Sequence, residues 1–206
     1  MFDIDGTLVE SYEIDSECFI AAVNEVIGIE PDPNWSAYKH VTDTGILNEI
    51  LASHKLSSEP VIHDRVKNIF VEKLRLSLKS QPIREVPGAA DFLRHLKAKD
   101  NVYVSLATGG WYESAVLKLE SAGISPDGIP IVSSNDHYSR TEIMKLALSS
   151  SNTAASNCIY FGDASWDKKA CEQLGFRFVL VGNRLKHTPK IKNFEPIEEA
   201  MAIIGL

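Results

Sequence analysis

Met1-Phe2-Asp3-Ile4-Asp5-Gly6-Thr7 opens the chain, and its reading decides the fold. A short apolar run leads into two carboxylates two positions apart. On an extended strand such positions point to the same side. Two acids on one side repel each other and call for a cation beside them. The same string also suits a strand that ends in a solvated Asp-Gly turn. The remainder of the chain chooses between the two.

Residues 11 to 79 read as mostly helical. Ser16–Ile27 carries apolar residues at helical spacing and stops at Gly28; Thr44–Ser53 and His63–Leu78 are amphipathic. Pro31, Pro33 and Pro60 break the connections. From Pro87 the texture changes. Helical stretches at Gly88–Ala98, Trp111–Ala122, Thr141–Leu148 and Asp167–Gln173 alternate with short apolar strands. The strands are expected at Val102–Ala107, Ile129–Val132, Cys158–Phe161 and Phe176–Val181, and a last helix near Pro196–Ile204. Such alternation predicts an α/β fold with a parallel sheet covered on both faces. The early helices then form an insertion after the first strand. The expected division is a core of residues 1–10 and 85–206 and an all-helical insert of residues 11–84.

Ligands of such sheets gather beyond the carboxyl ends of the strands. Asp3 and Asp5 follow the first strand, Thr108-Gly109-Gly110 the second, and Gly162-Asp163-Ala164-Ser165-Trp166-Asp167 a third. Asn135, Asp136, His137 and Arg140 precede the Thr141 helix. Thr108 suits either a helix cap or, with free N–H groups, an anion site. Asp163 and Asp167 suit either helix-start acids or metal ligands. Arg140 by itself reads as a surface charge. Trp111 and Trp166 read as packing residues, and the six histidines form no ligand pair. Taken together, the carboxylates of Asp3 and Asp163 and the carbonyl of Asp5 suit Mg2+, which takes few protein oxygens. Asp3 could attack phosphorus, and Asp5 could protonate the leaving oxygen and activate water. Thr108, the Gly109 amide and Arg140 could hold the phosphoryl oxygens, with Asp167 behind the ion.

These three strings resemble motifs I, II and IV of the haloacid dehalogenase (HAD) superfamily, and the resemblance spans nearly the whole chain. It implies a Rossmann-like core under a helical cap of the C1 type. It makes Asp3 the nucleophile, Asp5 the acid/base, Thr108 the phosphate holder, and Asp163 and Asp167 the Mg2+ acids. The third motif is usually built on Lys; Arg140 stands there, with Lys145 as fallback. Family members carry several apolar residues before the first acid. Here Met1 and Phe2 alone precede it, so the first strand is either short or truncated. An acid at position 5 favours phosphoryl transfer over halide release, and a phosphatase is the first expectation. A sugar phosphomutase and a non-catalytic binding relative are the alternatives. Phosphonate cleavage would need a cap lysine over Asp3, from among Lys39, Lys55, Lys67, Lys73 and Lys79. Tyr12, Thr42, Asp43 and Thr44 are where a leaving group would be selected.

Composition sets the outer bounds. The 206 residues carry a formal net charge of −7, with no basic stripe for nucleic acid. No apolar run is long enough for a membrane span, and no signal peptide is evident. Three scattered cysteines (Cys18, Cys158, Cys171) suit reduced thiols. The expected setting is cytoplasmic and the expected partner a small phosphorylated metabolite. Oligomeric state is not legible.

Overall fold

A computed structural model describes residues 1–151 and 153–205. Its centre is a parallel sheet. β1 (Leu106–Ala107) pairs with β2 (Ile131–Val132), and β3 (Ile159–Gly162) pairs with β4 (Arg177–Val181), which pairs with β5 (Lys190–Ile191), all in parallel. Residues 1–3 join the two halves. Phe2 bridges both Leu106 and Phe161 in parallel. Phe2 N–H donates to Ser105 O, Ala107 N–H to Phe2 O, Asp3 N–H to Phe161 O, and Phe161 N–H to Met1 O, at 2.9–3.0 Å. The order is therefore β2-β1-(1–3)-β3-β4-β5, with the opening residues in the middle.

The expected strand Val102–Ala107 is shorter in the structure. Only Leu106–Ala107 is ladder-paired; on the side of the opening segment its bonds run from Phe2 N–H to Ser105 O and from Ala107 N–H to Phe2 O. On the other side Pro130 can accept from Leu106 N–H but has no N–H to give. Likewise Ile129–Val132 contracts to Ile131–Val132.

The helices follow the predicted order, with ends shifted by a few residues. α1 (Tyr12–Ile27) starts four residues earlier than its apolar pattern, and Gly28 N–H closes it on Asn24 O at 2.8 Å. α2 (Asp43–Ser53) is capped by Thr42, whose hydroxyl accepts from Gly45 N–H. α3 (Pro60–Ser80) begins with Pro at its first position, where a missing N–H costs nothing. α4 (Ala89–Lys97), α5 (Tyr112–Ser121), α6 (Arg140–Ser149), α7 (Ser165–Leu174) and α8 (Ile197–Ile204) alternate with the strands.

Two apolar centres matter for the site. Under the sheet, Phe2, Phe92, Phe161 and Phe194 pack together with Leu106, Val179 and Ile4. Phe2 and Phe161 stack with centroids 4.8 Å apart, which pins the opening segment against β3. A second centre joins Phe19, Trp35, Leu47, Leu51, Phe70 and Leu74 of the helical segment with Trp111 from the start of α5. Trp111 thus anchors α1–α3 to the sheet side, as a packing residue. No helix among the described residues is long and apolar enough to cross a membrane.

Candidate active site

The carboxyl ends of the central strands meet under α1 and α2. Asp3 follows Phe2, Thr108 follows β1, and Asp163 follows β3. Asp167 reaches back from the first turn of α7, where its Oδ2 accepts from Ala164 N–H at 3.1 Å. Asp3, Asp163 and Asp167 are all buried, and one carboxylate oxygen from each lies within 4.8 Å of the others. The sequence-predicted acids at positions 3, 163 and 167 are therefore one cluster.

Two glycines allow this approach. Gly6 has φ +75°, and a Cβ there would collide with the Asp163 carboxylate. A Cβ at Gly162 would sit 2.8 Å from the Asp167 side chain.

Burial drives the chemistry of the cluster. It holds Asp3 well above the ordinary carboxylate range, with Arg140 opposing and Asp167 and Asp163 adding to it. Burial, with Asp167 nearby, lifts Asp163 to about 6. Arg140 is the counter-charge: its Nη1 lies 2.7 Å from Asp167 Oδ1 and 3.5 Å from Asp3 Oδ2. Tyr160 OH sits 3.3 Å from the same nitrogen and donates to Ala107 O. Position 140 is thus an interior charge, in contrast to the surface reading that a lone Arg invites. Lys145 points elsewhere, to Glu142 at 2.8 Å on an exposed face. At the rim, Arg184 donates to Asp163 Oδ2 at 2.8 Å and lies 4.0 Å over the Tyr12 ring.

The anion cradle lies beside the acids. Thr108 is buried, and its Oγ1 accepts from Gly110 N–H at 3.1 Å, leaving the hydroxyl proton free to donate. Trp111, not Thr108, occupies the cap position of α5. The Gly109 N–H makes no hydrogen bond among the described residues, while its carbonyl accepts from Asp43 N–H at 2.8 Å.

Asp5 goes a different way from Asp3. Its carboxylate accepts from the Ser11 hydroxyl and from Lys118, and it stands outside the three-acid cluster. Lys118, Asp15, Ser11 and Arg184 were not singled out from the sequence. A signal existed for two of them. Lys118 shares the buried face of α5 with Ser114, Ala115 and Leu119, and Asp15 lies four residues before Phe19 on the buried face of α1. A charge at core-face spacing is the mark of a buried partner.

A cavity of about 80 Å³ joins these parts. Asp3, Asp5, Thr108, Gly109, Arg140 and Asp163 line it from below. Tyr12, Asp15, Phe19, Trp35, Thr42 and Asp43 line it from the helical segment. Thr44 is instead occupied with Ser134 and Trp111. Asn135 accepts from Tyr112 N–H at the start of α5, and Asp136 accepts from Ser133 N–H within its own turn. None of the five early lysines lines the cavity.

The donor set fits a small hard cation. It is all oxygen, it carries surplus negative charge, and Asp3 Oδ1 is buried without a hydrogen-bond partner among the described residues. Fold and site together define a Rossmann-like α/β enzyme. Comparison with known proteins gives the family: the chain belongs to the haloacid dehalogenase-like hydrolases, whose model matches residues 1–181. No curated protein matches the chain. Among solved structures it is similar to a hydrolase from Pseudomonas syringae (22% identity, 91% of this chain and 85% of that one, TM-score 0.72). It is also similar to CbbY from Rhodobacter sphaeroides, solved in complex with phosphate (17% identity, 95% and 94%, TM-score 0.74). A third is beta-phosphoglucomutase from Clostridium difficile (21% identity, 99% and 95%, TM-score 0.74).

Proposed function

We propose that this protein is a Mg2+-dependent phosphatase that hydrolyses a small phosphate monoester through an aspartyl-phosphate on Asp3. The observation that carries the reading is Asp3 itself. It is a buried carboxylate with one unpartnered oxygen, at the cavity wall, beside a hydroxyl, a free N–H and a guanidinium.

Asp3 attacks phosphorus as the bond to the ester oxygen breaks, and Asp5 gives that oxygen its proton. Water then attacks the phosphorus of the aspartyl-phosphate as Asp5 takes its proton. The Asp3–phosphorus link breaks and inorganic phosphate leaves. Thr108 Oγ1, the Gly109 N–H and Arg140 hold the phosphoryl oxygens throughout. Asp3, Asp163 and the Asp5 carbonyl would hold Mg2+, with Asp167 supporting. When bound, the ion supplies the charge neutralisation that lets an anionic ester approach an anionic carboxylate. Residues 11–84 serve as a cap over a core of residues 1–10 and 85–206. The substrate is a small phosphorylated metabolite, handled in the cytoplasm.

A phosphomutase is the second reading, and the cavity's charge speaks against it. Its lining among the described residues holds one cation, Arg140, already committed to the transferred phosphoryl group. A bisphosphate would bring its second phosphate against Asp15 and Asp43. The leaving group that suits the wall is therefore uncharged or cationic, with apolar surface for Phe19 and Trp35.

The test is hydrolysis of 4-nitrophenyl phosphate with and without Mg2+, beside Asp3→Asn. Wild type should release phosphate only with the metal, and Asp3→Asn should lose at least about 10³-fold. Turnover that survives in Asp3→Asn refutes the nucleophile.

A further inference from the structure

Lys118 is the most deeply buried charge that the mechanism above leaves unused. It has no exposed surface, and it sits on α5 among core residues. Its Nζ lies 2.6 Å from Asp5 Oδ1 and 2.7 Å from Asp5 Oδ2, so it straddles the carboxylate. The same nitrogen lies 2.6 Å from Oδ1 of Asp15, on α1. Two of its three protons are engaged in hydrogen bonds, one to Asp5 Oδ2 and one to Asp15 Oδ1.

The surroundings make this a junction between the helical segment and the sheet. The Asp5 carboxylate also accepts from Ser11, just before α1. Asp43, on α2, accepts from Trp111 N–H at 2.8 Å, at the start of the helix that carries Lys118. Burial works to strip the proton from Lys118. Asp15, Asp5 and Asp43 around it outweigh burial and keep it charged.

Stability alone is a poor reason for such a residue. Removing an ion from water costs several kcal/mol, and an apolar side chain of similar volume often serves a core as well. Lys118 is also absent from the cavity lining, so it does not meet substrate. Its reach into the site ends at Asp5.

We propose that Lys118 is a positioning residue, which fixes the Asp5 carboxylate and, through Asp15, ties its placement to α1. The catalytic half of this proposal rests on the phosphatase reading, in which Asp5 moves the proton. Without Lys118, Asp5 and Asp15 lose the cation between them and repel each other. The acid then drifts, and displacement by about 1 Å can cost 10²-fold in rate.

Lys118→Met, Lys118→Arg and Asp15→Asn test this by leaving-group dependence. The measured quantity is kcat/KM, which reports the step that expels the leaving group. 4-Nitrophenyl phosphate needs little protonation of its phenolate; a simple alkyl phosphate needs it fully. Lys118→Met should lose roughly 10–100-fold more on the alkyl ester than on the aryl ester, a part of what a general acid supplies. Asp15→Asn should show the same bias more weakly, and Lys118→Arg should recover part of it. Equal losses on both esters in all three variants would overturn the positioning role. Asp15→Asn and Lys118→Arg keep the test open should Lys118→Met fail to fold.

A second readout needs no turnover. In 15N-lysine-labelled protein, Lys118 should give a slowly exchanging ammonium resonance. Lys118→Met removes it, and Asp5→Asn and Asp15→Asn each shift it. A missing resonance, or one that ignores both aspartate variants, overturns the link. Should wild type turn over no ester, the phosphatase reading falls, and this resonance still decides whether Lys118 holds Asp5 to α1.

Discussion

Replacing Arg140 by methionine removes the buried guanidinium that faces Asp3 and Asp167 and leaves much of the side chain's volume in place. Asp167 has no exposed surface and loses a contact of 2.7 Å; Asp3 loses one of 3.5 Å. Two costs bound the outcome. Breaking a buried pair by deleting one partner costs about 3–5 kcal/mol when the stranded charge stays. The carboxyl can instead take up a proton. For an acid with an unfolded pKa of roughly 3.9, that costs about 1.4 kcal/mol for each pH unit above it. The escape therefore costs about 5 kcal/mol at pH 7.5 and only about 1.5 kcal/mol at pH 5. We expect Arg140→Met, with chelator present, to lose about 3–5 kcal/mol at pH 7.5. For a chain of this size that is roughly 6–20 °C in Tm. The deficit should shrink to about 1.5 kcal/mol or less at pH 5. Urea unfolding followed by circular dichroism at the two pH values measures both numbers. A variant that matches wild type at pH 7.5, or whose deficit is the same at both values, would refute the account of Arg140 as the cluster's counter-charge.

Gly6→Ala places a side chain at φ +75° against the Asp163 carboxylate, so it should cost about 1–2 kcal/mol from the backbone alone. It should also raise the Mg2+ concentration needed for half-maximal hydrolysis, read from a metal titration; an unchanged titration would show that Asp163 is not a ligand. Chelator-treated wild type should lose stability as pH rises from about 4 to about 6. Over that window the folded protein holds protons on Asp163 and Asp15 that the unfolded chain has released, because burial lifts both to about 6. Thermal melts across pH 4–8 check this, and a stability that rises through the window would reverse the sign. Added Mg2+ should raise Tm at pH 7.5 more than at pH 5, since its ligands must be deprotonated; differential scanning fluorimetry with and without the ion reads the difference.

What the chain carries in its sequence is local. The alternation of apolar strands and amphipathic helices after Pro87 announced the parallel sheet, because burial on two faces imposes that texture. The convergence of Asp3, Thr108 and Asp163 was legible because each follows a strand, and strand ends of a parallel sheet share one edge; Asp167 joins them from the helix that the third of these loops opens. The helix stop at Gly28 was legible because a left-handed residue there is a local demand. The length of the β1 ladder was not, since pairing depends on which backbone groups the neighbouring segments present. Arg140 was placed among the site residues from the sequence, but its pairing with Asp167 at 2.7 Å was not legible, since the two lie 27 residues apart. Lys118 is the sharpest case. Its spacing marks it as buried, but the acids that make burial tolerable lie 113 and 103 residues away. Only the tertiary fold, which sets Asp5 and the start of α1 beside α5, brings them to one nitrogen, and no window along the chain contains that contact.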